Sequence, residues 1–327
     1  MRLIILIPAY NEEGTIADVL AAIPSSFPGV DQFITLVVDD GSSDHTAQIA
    51  REAGAVVICH GRNRGVGCAF TTGLSKALEM GADIMVNIDA DGQFTPEEIP
   101  LLITPILKDR ADFVVGDRFT NPEGKVHKPQ HMSGIKFWGN KVMTRFINTL
   151  TGGHFQDVSC GFRAYSREAM LQLNLSGQFT YTQETFIDLA EKGLRIKNVP
   201  VSVTYFPGRD SRVADSLLKY AVKSGKIIFR AYRDYKPLRF FGWLGLINAV
   251  LGLLLGILML VIYIRTGKFT PYKFVGFSGI NFLSLGFLFW VVGLLADMFV
   301  KVRQTQEKIL YFEKKRRYGG DEDNTTT

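Results

Sequence analysis

The stretch "IMVNIDADGQ", residues 84–93, decides the fold, because an apolar run passes directly into three side chains that carry oxygen. Asp89, Asp91 and Gln93 stand two residues apart, and such positions point to one side of an extended chain. The pattern predicts a buried strand that ends in a ligand site, where a cation offsets the two carboxylates. Mg²⁺ and Mn²⁺ prefer hard oxygen ligands and keep room for water or phosphate. The alternative is that Asp89 and Asp91 only cap a loop.

This strand is one of several in the first 210 residues, where strand-like and helix-like segments alternate. Short apolar runs occupy residues 3–7, 35–38, 55–58, 84–88 and 113–115. Segments with helical spacing lie between them, at residues 12–22, 43–53 and 69–80. The alternation predicts an α/β fold, in which helices cover a sheet.

Polar clusters close three of these runs: "PAYNE" at 8–12, "DDGS" at 39–42 and "DADGQ" at 89–93. Ligands of α/β sheets bind beyond the carboxyl ends of the strands, so the three clusters predict one binding site. The second cluster is also typical of an ordinary turn followed by a helix cap.

Length and composition set the class of protein. The chain has 327 residues, too many for one average domain, and a net charge of +5, which fits an anionic partner without identifying it. Its three cysteines, Cys59, Cys68 and Cys160, form no CxxC pair, so neither a disulfide framework nor a zinc site is indicated. We expect a reducing, cytoplasmic environment. The apolar run before Pro8 is too short for a signal peptide and is predicted to be a strand.

Hydrophobicity rises sharply after residue 240. Residues 241–264 carry no charged side chain, and residues 274–300 carry only Asp297 near their end. The first segment would reach about 36 Å as a helix, which is enough to cross a bilayer. The two segments therefore predict a transmembrane hairpin and an integral membrane protein.

Basic residues predict how the hairpin is oriented. They are dense before the first segment and after the second, whereas the loop between holds only Arg265, Lys268 and Lys273. The positive-inside rule then places the domain before the hairpin and both termini in the cytoplasm. We expect four parts: an α/β domain at 1–210, an amphipathic region at 211–240, the hairpin at 241–300 (241–264 and 274–300), and a basic helix with a disordered tail at 301–327.

The amphipathic region has a basic stripe at helical spacing, opposite an apolar face. The stripe consists of Lys219, Lys223, Lys226, Arg230 and Arg233. Such a helix is typical of a membrane surface. The alternative is a helix that packs on the soluble domain and turns its basic face to solvent.

Six motifs in order carry a resemblance to a known family. They are "IPAYNEE" (7–13), "VVDDGSSDHT" (37–46), "NRGVGCAFTTGL" (63–74), "NIDADGQFTPEEI" (87–99), "GDRF" (116–119) and "SCGFRAYSREA" (159–169). Over about the first 210 residues the chain resembles family 2 glycosyltransferases of the GT-A fold. More narrowly, it is similar to dolichyl- or polyprenyl-phosphate mannose and glucose synthases.

The resemblance implies roles for individual residues. It places Pro8, Tyr10 and Glu12 at the nucleoside and Asp39 at the base, with Asp89 and Ala90 along the nucleotide-sugar. It assigns Asp91 and Gln93 to a Mg²⁺ or Mn²⁺ ion and Arg118 to phosphate or sugar. Arg209, with Arg212 as a second candidate, would fold over the diphosphate, because a guanidinium fork matches phosphate oxygens. The implied catalytic set is Asp89, Asp91, Arg118 and Arg209.

Other assignments stay open. Arg118 is alternatively a surface charge, and Arg209 and Arg212 alternatively bind lipid headgroups. Residues 119–140 hold no arginine for an acceptor phosphate, and the basic candidates there are Lys125, Lys128, His131 and Lys136. Glu184 lies where some relatives place a base, and alternatively orders the acceptor loop. Phe162 and Tyr165 are expected in the core. A role at the site for the neighbouring Asp157 and Arg163 is the less favoured alternative for these two residues.

The reaction that the resemblance implies is an inverting transfer of a hexose from a nucleotide-diphosphate sugar to polyprenyl or dolichyl phosphate. The donor is GDP-mannose, UDP-glucose or UDP-N-acetylglucosamine. The expected partners are this donor, the lipid phosphate and the bilayer, with a homo-oligomer possible and no nucleic acid. Alternatives are another lipid or a protein acceptor, a processive polysaccharide synthase, which usually has a QxxRW motif that is absent here, and a catalytically silent scaffold.

Overall fold

The computed structural model of the chain describes residues 1–121, 123–175, 181–205, 229–230 and 232–319. The chain divides into two compact units. The first comprises Met1–Leu217 together with Leu310–Thr327, and the second comprises Leu218–Ile309.

The first unit is built around a seven-stranded sheet. Its strands are β1 (Arg2–Ala9), β2 (Gln32–Asp39), β3 (Val56–Cys59), β4 (Ile84–Asn87), β5 (Phe113–Asp117), β6 (Arg163–Ser166) and β7 (Ile196–Pro200). Its helices are α1 (Ile16–Ala21), α2 (Thr46–Glu52), α3 (Val66–Glu79), α4 (Ile99–Leu107), α5 (Gly134–Thr151), α6 (Arg167–Gln172) and α7 (Tyr181–Glu191). A 3₁₀ turn, Pro96–Glu98, precedes α4.

The strands run in the order β3-β2-β1-β4-β6-β5-β7. β6 pairs antiparallel with β4 and β5, and the other neighbouring pairs are parallel. As a consequence, β1, β2, β4, β5 and β7 all end at the same edge of the sheet, and β6 begins there.

The middle of the sheet forms the core. Residues 3–7 of β1 are completely buried, and β4 and β5 are buried along their full length. Both Phe162 and Tyr165 are completely buried, as predicted. The predicted α/β fold is confirmed, and the five predicted runs correspond to β1–β5, but β6 and β7 were not predicted and several element bounds differ. α1 begins at Ile16 instead of Glu12, because the Thr15 and Ile16 amides donate to the Glu12 carbonyl in a preceding turn.

The second unit contains α8 (Pro237–Thr266) and most of α9 (Lys273–Tyr318). Both helices are long and apolar enough to cross a membrane, and only 17% and 11% of their most apolar windows are buried. Apolar side chains with so much exposed surface are typical of a helix that faces lipid, and not of a helix in the core of a soluble protein.

Glycines seven residues apart let the two helices pack as an antiparallel hairpin. A side-chain carbon added at Gly252 would lie 2.8 Å from the Gly279 carbonyl, and one added at Gly286 would lie 2.9 Å from the Gly245 carbonyl. The indole nitrogen of Trp290 donates to the Gly242 carbonyl at 3.2 Å. The backbones therefore approach closely, as small residues allow in membrane helices.

The last turns of α9 belong to the first unit and pack on α6. The Lys314 ammonium donates to the Leu173 carbonyl at 2.9 Å and to the Asn174 side-chain oxygen at 2.8 Å. The Tyr311 hydroxyl donates to Glu168 at 3.1 Å. Burial lowers the pKa of Lys314 to about 8, and the neighbouring Lys192 charge acts in the same direction.

The amphipathic region at 211–240 lies mostly outside the described residues. Within it, residues 229–230 and 232–235 are helical. The interfacial helix, the four-part division of the chain and the cytoplasmic orientation all remain predictions.

Candidate active site

The edge at which every strand except β6 ends carries the predicted site residues. Ala9 pairs with Asp39, so the clusters that follow β1 and β2 begin side by side. Asn87 closes β4 and pairs with Arg163 at the start of β6. The sheet register thus places the three predicted clusters at one edge.

The cluster after β1 is fastened to the cluster after β2. Asn11 has a φ of 53°, a left-handed conformation that Asn tolerates better than most residues. Its amide donates to the Ser42 hydroxyl at 2.9 Å, and its side-chain oxygen accepts from the Ser43 amide at 2.8 Å. The Glu12 amide donates to the Thr46 hydroxyl at 2.8 Å. These bonds hold the backbone around Tyr10 and Glu12 in one position.

A cavity of about 210 Å³ opens between Pro8, Tyr10, Asn63 and Gly65. Buried Asp40 lines it and fixes the loop opposite: its carboxylate accepts from the Arg64 and Gly65 amides at 3.0 and 2.7 Å. The same carboxylate also contacts the His60 ring, with an Nδ1 to Oδ1 distance of 2.7 Å. The cavity has a size that suits a nucleobase, and Asp39 lies in the same turn, where its carboxylate accepts from the Ser42 amide.

The "DADGQ" segment turns sharply after β4. The Gln93 amide donates to the Asp91 carboxylate at 3.0 Å, and Gly92 has a φ of +72°. The Thr15 hydroxyl donates to the Ala90 carbonyl at 2.9 Å and contacts the Glu12 carboxylate at 3.1 Å. Through Thr15, the segment is connected to the first cluster.

Asp89 experiences strong electrostatic strain. Burial, together with the nearby carboxylates of Asp91 and Glu12, raises its pKa to about 7, although the Arg118 and Arg163 charges oppose the shift. The side chain keeps some contact with solvent, but protein atoms surround most of it. The site therefore concentrates negative charge in a poorly hydrated place, which is typical of a functional site.

Gly161 lets the loop before β6 pass directly beneath Asp89. A side-chain carbon at this glycine would lie 2.6 Å from the Asp89 carboxylate oxygen. The Asn87 side-chain amide donates to the Gly161 carbonyl at 2.9 Å and fixes the loop there. Only glycine allows this approach without moving the carboxylate.

Arg118, which follows β5, is held in place by Asp157. The Arg118 Nε and Nη2 atoms donate to the two Asp157 oxygens at 2.7 and 3.1 Å, and Nη1 donates to the Tyr205 hydroxyl at 3.3 Å. Burial alone would lower the pKa of Arg118, but the Asp157 carboxylate raises it well above its ordinary value. Arg118 is not a surface charge: only 11% of its side chain is exposed.

Lys136, in the first turn of α5, also reaches the site. Its ammonium lies 5.8 Å from the centre of the Tyr205 ring. Burial lowers its pKa, the Arg118 charge lowers it further, and Asp91 opposes the shift. Of the four basic residues noted between 119 and 140, Lys136 is the one whose charge interacts with both Arg118 and Asp91.

Arg163 is completely buried and organises the loop that carries Asp157 and Gly161. Its guanidinium donates to the carbonyls of Val158, Cys160 and Thr182 at 3.1, 2.6 and 2.8 Å. It thereby links this loop to the first turn of α7, which also contains Glu184.

Asp91 and Gln93 fit a Mg²⁺ or Mn²⁺ ion only in part. Both offer hard oxygens beside the negative charge of Asp89. Among the described residues, however, no group of three or more His, Cys, Asp or Glu side chains could hold a metal ion. Two donors fit an ion whose remaining ligands are water and the diphosphate of a nucleotide.

Several contributors escape sequence reasoning. Tyr205 lies 87 residues from Arg118, and Gly161 carries no functional group, so only the fold reveals their roles. No pattern in the sequence indicates that Asp157 pairs with Arg118. Arg209 and Arg212 lie outside the described residues, and their proposed contact with the diphosphate remains a prediction.

Comparison with known proteins agrees with this geometry. The family model for glycosyl transferase family 2 matches residues 4–173. A UDP-N-acetylglucosamine–dolichyl-phosphate N-acetylglucosaminyltransferase of Methanococcus voltae is 32% identical over 252 residues, which cover 68% of this chain and 97% of that protein. The polyprenol monophosphomannose synthase of Mycolicibacterium smegmatis is 30% identical over 217 residues, which cover 62% of this chain and 77% of that protein.

A solved structure shares the fold. Glucosyl-3-phosphoglycerate synthase of Mycobacterium tuberculosis, in complex with Mn²⁺, UDP and phosphoglyceric acid, superposes with a TM-score of 0.53 at 22% identity, over 71% of this chain and 77% of that chain. The similarity confirms the predicted GT-A architecture. The chain belongs to glycosyl transferase family 2, and it is a glycosyltransferase.

Proposed function

We propose that the protein is a membrane-bound, inverting glycosyltransferase that moves a hexose or N-acetylhexosamine from a nucleotide-diphosphate sugar to polyprenyl phosphate. The observation that carries the proposal is the meeting of two kinds of charge at one sheet edge. Asp89 and Asp91 stand beside the cationic pair Arg118 and Lys136, which suits a reaction between two phosphorylated substrates. The relatives from Methanococcus voltae and Mycolicibacterium smegmatis, by their names, act on dolichyl phosphate and polyprenol phosphate.

The donor would bind along the line from the 210 Å³ cavity to Asp91. Tyr10 and Pro8 would contact the nucleobase, with Asp39 accepting from its edge. Glu12 and Ala90 follow along the same edge, and Arg209 is proposed to cover the diphosphate. The names of the two relatives give different sugars, N-acetylglucosamine and mannose, and we propose a donor from the set GDP-mannose, UDP-glucose and UDP-N-acetylglucosamine.

Asp91 and Gln93 would hold Mg²⁺ or Mn²⁺ together with the diphosphate. A bound divalent cation supplies positive charge that stabilises the leaving diphosphate. Asp89 would orient the sugar from below, because Gly161 and Asn87 fix the loop on which its carboxylate rests.

The acceptor phosphate would bind between Arg118 and Lys136. Asp157 orients the Arg118 guanidinium and also offsets part of its positive charge. Lys136 would therefore supply the further positive charge that a dianionic phosphate needs. A phosphate monoester is largely ionised at neutral pH. The acceptor oxygen therefore needs no strong general base, and Glu184 would instead order the acceptor loop.

Membrane residence follows from the two apolar helices. A polyprenyl tail cannot leave the bilayer, so an enzyme that uses it gains from being anchored there. The hairpin of α8 and α9 has the length that anchoring requires.

An extraction assay tests the proposal. Purified protein is incubated with Mn²⁺ or Mg²⁺, polyprenyl phosphate and a panel of labelled nucleotide sugars, and label is measured in the organic phase. We expect transfer from one donor class and its abolition in Asp91→Asn. The exposed Asp31→Asn serves as the matched control, because Asp31 directly precedes β2 and so lies at the opposite edge of the sheet.

Full transfer by Asp91→Asn would contradict the metal assignment. Absence of label in the organic phase with every donor, for protein that still binds nucleotide, would contradict the acceptor class.

A further inference from the structure

α5 presents an apolar face that the described residues of its domain leave uncovered. Met143, Ile147 and Leu150 are buried on the inner side of the helix. On the outer side, Trp138 is 71% exposed and Ile135 is 49% exposed. Exposed tryptophan is uncommon on a protein surface and indicates a binding surface.

The exposed apolar residues form a stripe. Ile135, Trp138 and Val142 lie within about 60° of one another around the helix. Val142 is 37% exposed, and Val126, in the loop before α5, is 57% exposed. The stripe therefore covers the first two turns of α5, on the side away from the core.

A basic groove runs beside the stripe. It has a volume of about 600 Å³ and is lined by Lys141, Arg145 and His154 among others. Thr144 also lines it, and its hydroxyl is buried without a hydrogen-bond partner among the described residues. Among the described residues, neither Lys141 nor Arg145 takes part in an ion pair. The groove thus offers cationic groups to an anionic ligand.

Three observations select a bilayer as the occupant. Tryptophan beside basic residues is typical of the membrane–water interface. Lysine and arginine at such a surface attract anionic lipid headgroups. The same chain carries two helices that are long and apolar enough to cross a membrane.

We infer that the outer face of α5 is a lipid-binding surface, in which Ile135, Trp138 and Val142 enter the bilayer interface while Lys141 and Arg145 hold an anionic lipid headgroup in the adjoining groove. The surface begins close to the site. The Lys141 ammonium lies 5.3 Å from the centre of the Phe119 ring, and Phe119 follows Arg118 directly. Lipid bound there would steady the side of the site that is proposed to receive the acceptor.

Tryptophan fluorescence tests the inference, because the chain has only three tryptophans. Trp243→Phe with Trp290→Phe leaves Trp138 as the sole reporter. Full-length protein is reconstituted into vesicles of phosphatidylcholine, or of phosphatidylcholine mixed with phosphatidylglycerol, and one lipid at a time is brominated to quench nearby indoles. We expect blue-shifted Trp138 emission that brominated lipid quenches, several-fold more when the brominated lipid is phosphatidylglycerol.

Two double variants locate the headgroup preference. Lys141→Gln with Arg145→Gln should remove the excess quenching by phosphatidylglycerol. Lys108→Gln with Lys197→Gln removes the same charge from exposed positions elsewhere in the domain and should leave the excess unchanged. An excess that survives the first pair, or is absent from the start, would overturn the headgroup site.

A second reporter separates this inference from the membrane residence on which it rests. Trp243 is 62% exposed on α8, and it becomes the sole tryptophan in Trp138→Phe with Trp290→Phe. Quenching of Trp243 without quenching of Trp138 would sink the inference and leave membrane residence intact. Blue-shifted but unquenched Trp138 would mean that protein covers the face, either a second copy or another partner, and would equally overturn it.

Discussion

At the scale of the residue, the geometry of the site depends on Gly161, because glycine has no side chain. Gly161→Ala would drive a methyl group to 2.6 Å from the Asp89 carboxylate, so Asp89 must move. Misplacement of about 1 Å costs about a hundred-fold in rate, and we expect a fall of that order in kcat/KM with little change in thermal stability. Steady-state transfer kinetics measure it.

Gly61→Ala is the matched control, because its new carbon would meet nothing within 4 Å. Normal kinetics in Gly161→Ala would mean that Asp89 tolerates displacement and plays no positioning role.

Lys136 gives a second prediction at this scale. Lys136→Gln removes a cation beside Arg118, so the KM for the lipid phosphate should rise by about ten-fold while the KM for the donor changes little. The control is the exposed Lys128→Gln, in the loop before α5. An equal rise in both KM values would assign Lys136 to the donor diphosphate instead.

At the scale of the element, the hairpin requires small residues at defined places. In Gly252→Val the first side-chain carbon meets the Gly279 carbonyl at 2.8 Å, so the helices must separate. We expect a loss of about 1–3 kcal/mol, the usual cost of overpacking, seen as a lower Tm in detergent. Gly256→Val should be neutral, because that position faces open space. Equal Tm values for the two variants would contradict the packing.

The docked end of α9 is predicted to respond to pH through Lys314. Its pKa is about 8 when docked and has its ordinary value of 10.5 when undocked. In this window the undocked form binds more protons, so rising pH favours docking. Hydrogen exchange, corrected for its intrinsic pH dependence, should show greater protection of residues 311–318 as pH rises above 8.

Lys314→Arg is the control for this prediction, because a guanidinium stays charged throughout the window and the rise should disappear. Protection that stays level or falls in the unmodified protein would contradict the assignment.

Short-range patterns in the sequence are enough to predict β4 and the two apolar helices. The apolar run at 84–88 and the polar cluster behind it predicted β4 and its place at the site, because alternation and strand ends are local properties. The seven-residue glycine spacing was present but is meaningful only once α8 and α9 are known to face each other. Arg118 and Asp157 are 39 residues apart, and only the sheet order brings them together.

At the scale of the whole molecule, the membrane helices are predicted to matter for the lipid and not for the nucleotide. A chain that stops after Lys236 lacks α8 and α9, whereas one that stops after Ile309 lacks only the docked end. We expect both to bind nucleotide and only the shorter one to lose turnover of long-chain polyprenyl phosphate, measured by the extraction assay. Undiminished lipid turnover by the shorter chain would contradict the anchoring role.

Because α9 returns to α6, the apolar helices are an insertion within the first unit and not an extension at its end. The polypeptide leaves that unit once and comes back. Hydrogen bonds from Tyr311 and Lys314, and one from Arg167 to the Tyr318 carbonyl, hold the returning end. A single proteolytic cut between residues 205 and 229 would therefore not separate the catalytic part from the helices. The two fragments would still copurify for as long as the end of α9 stays bound to the first unit.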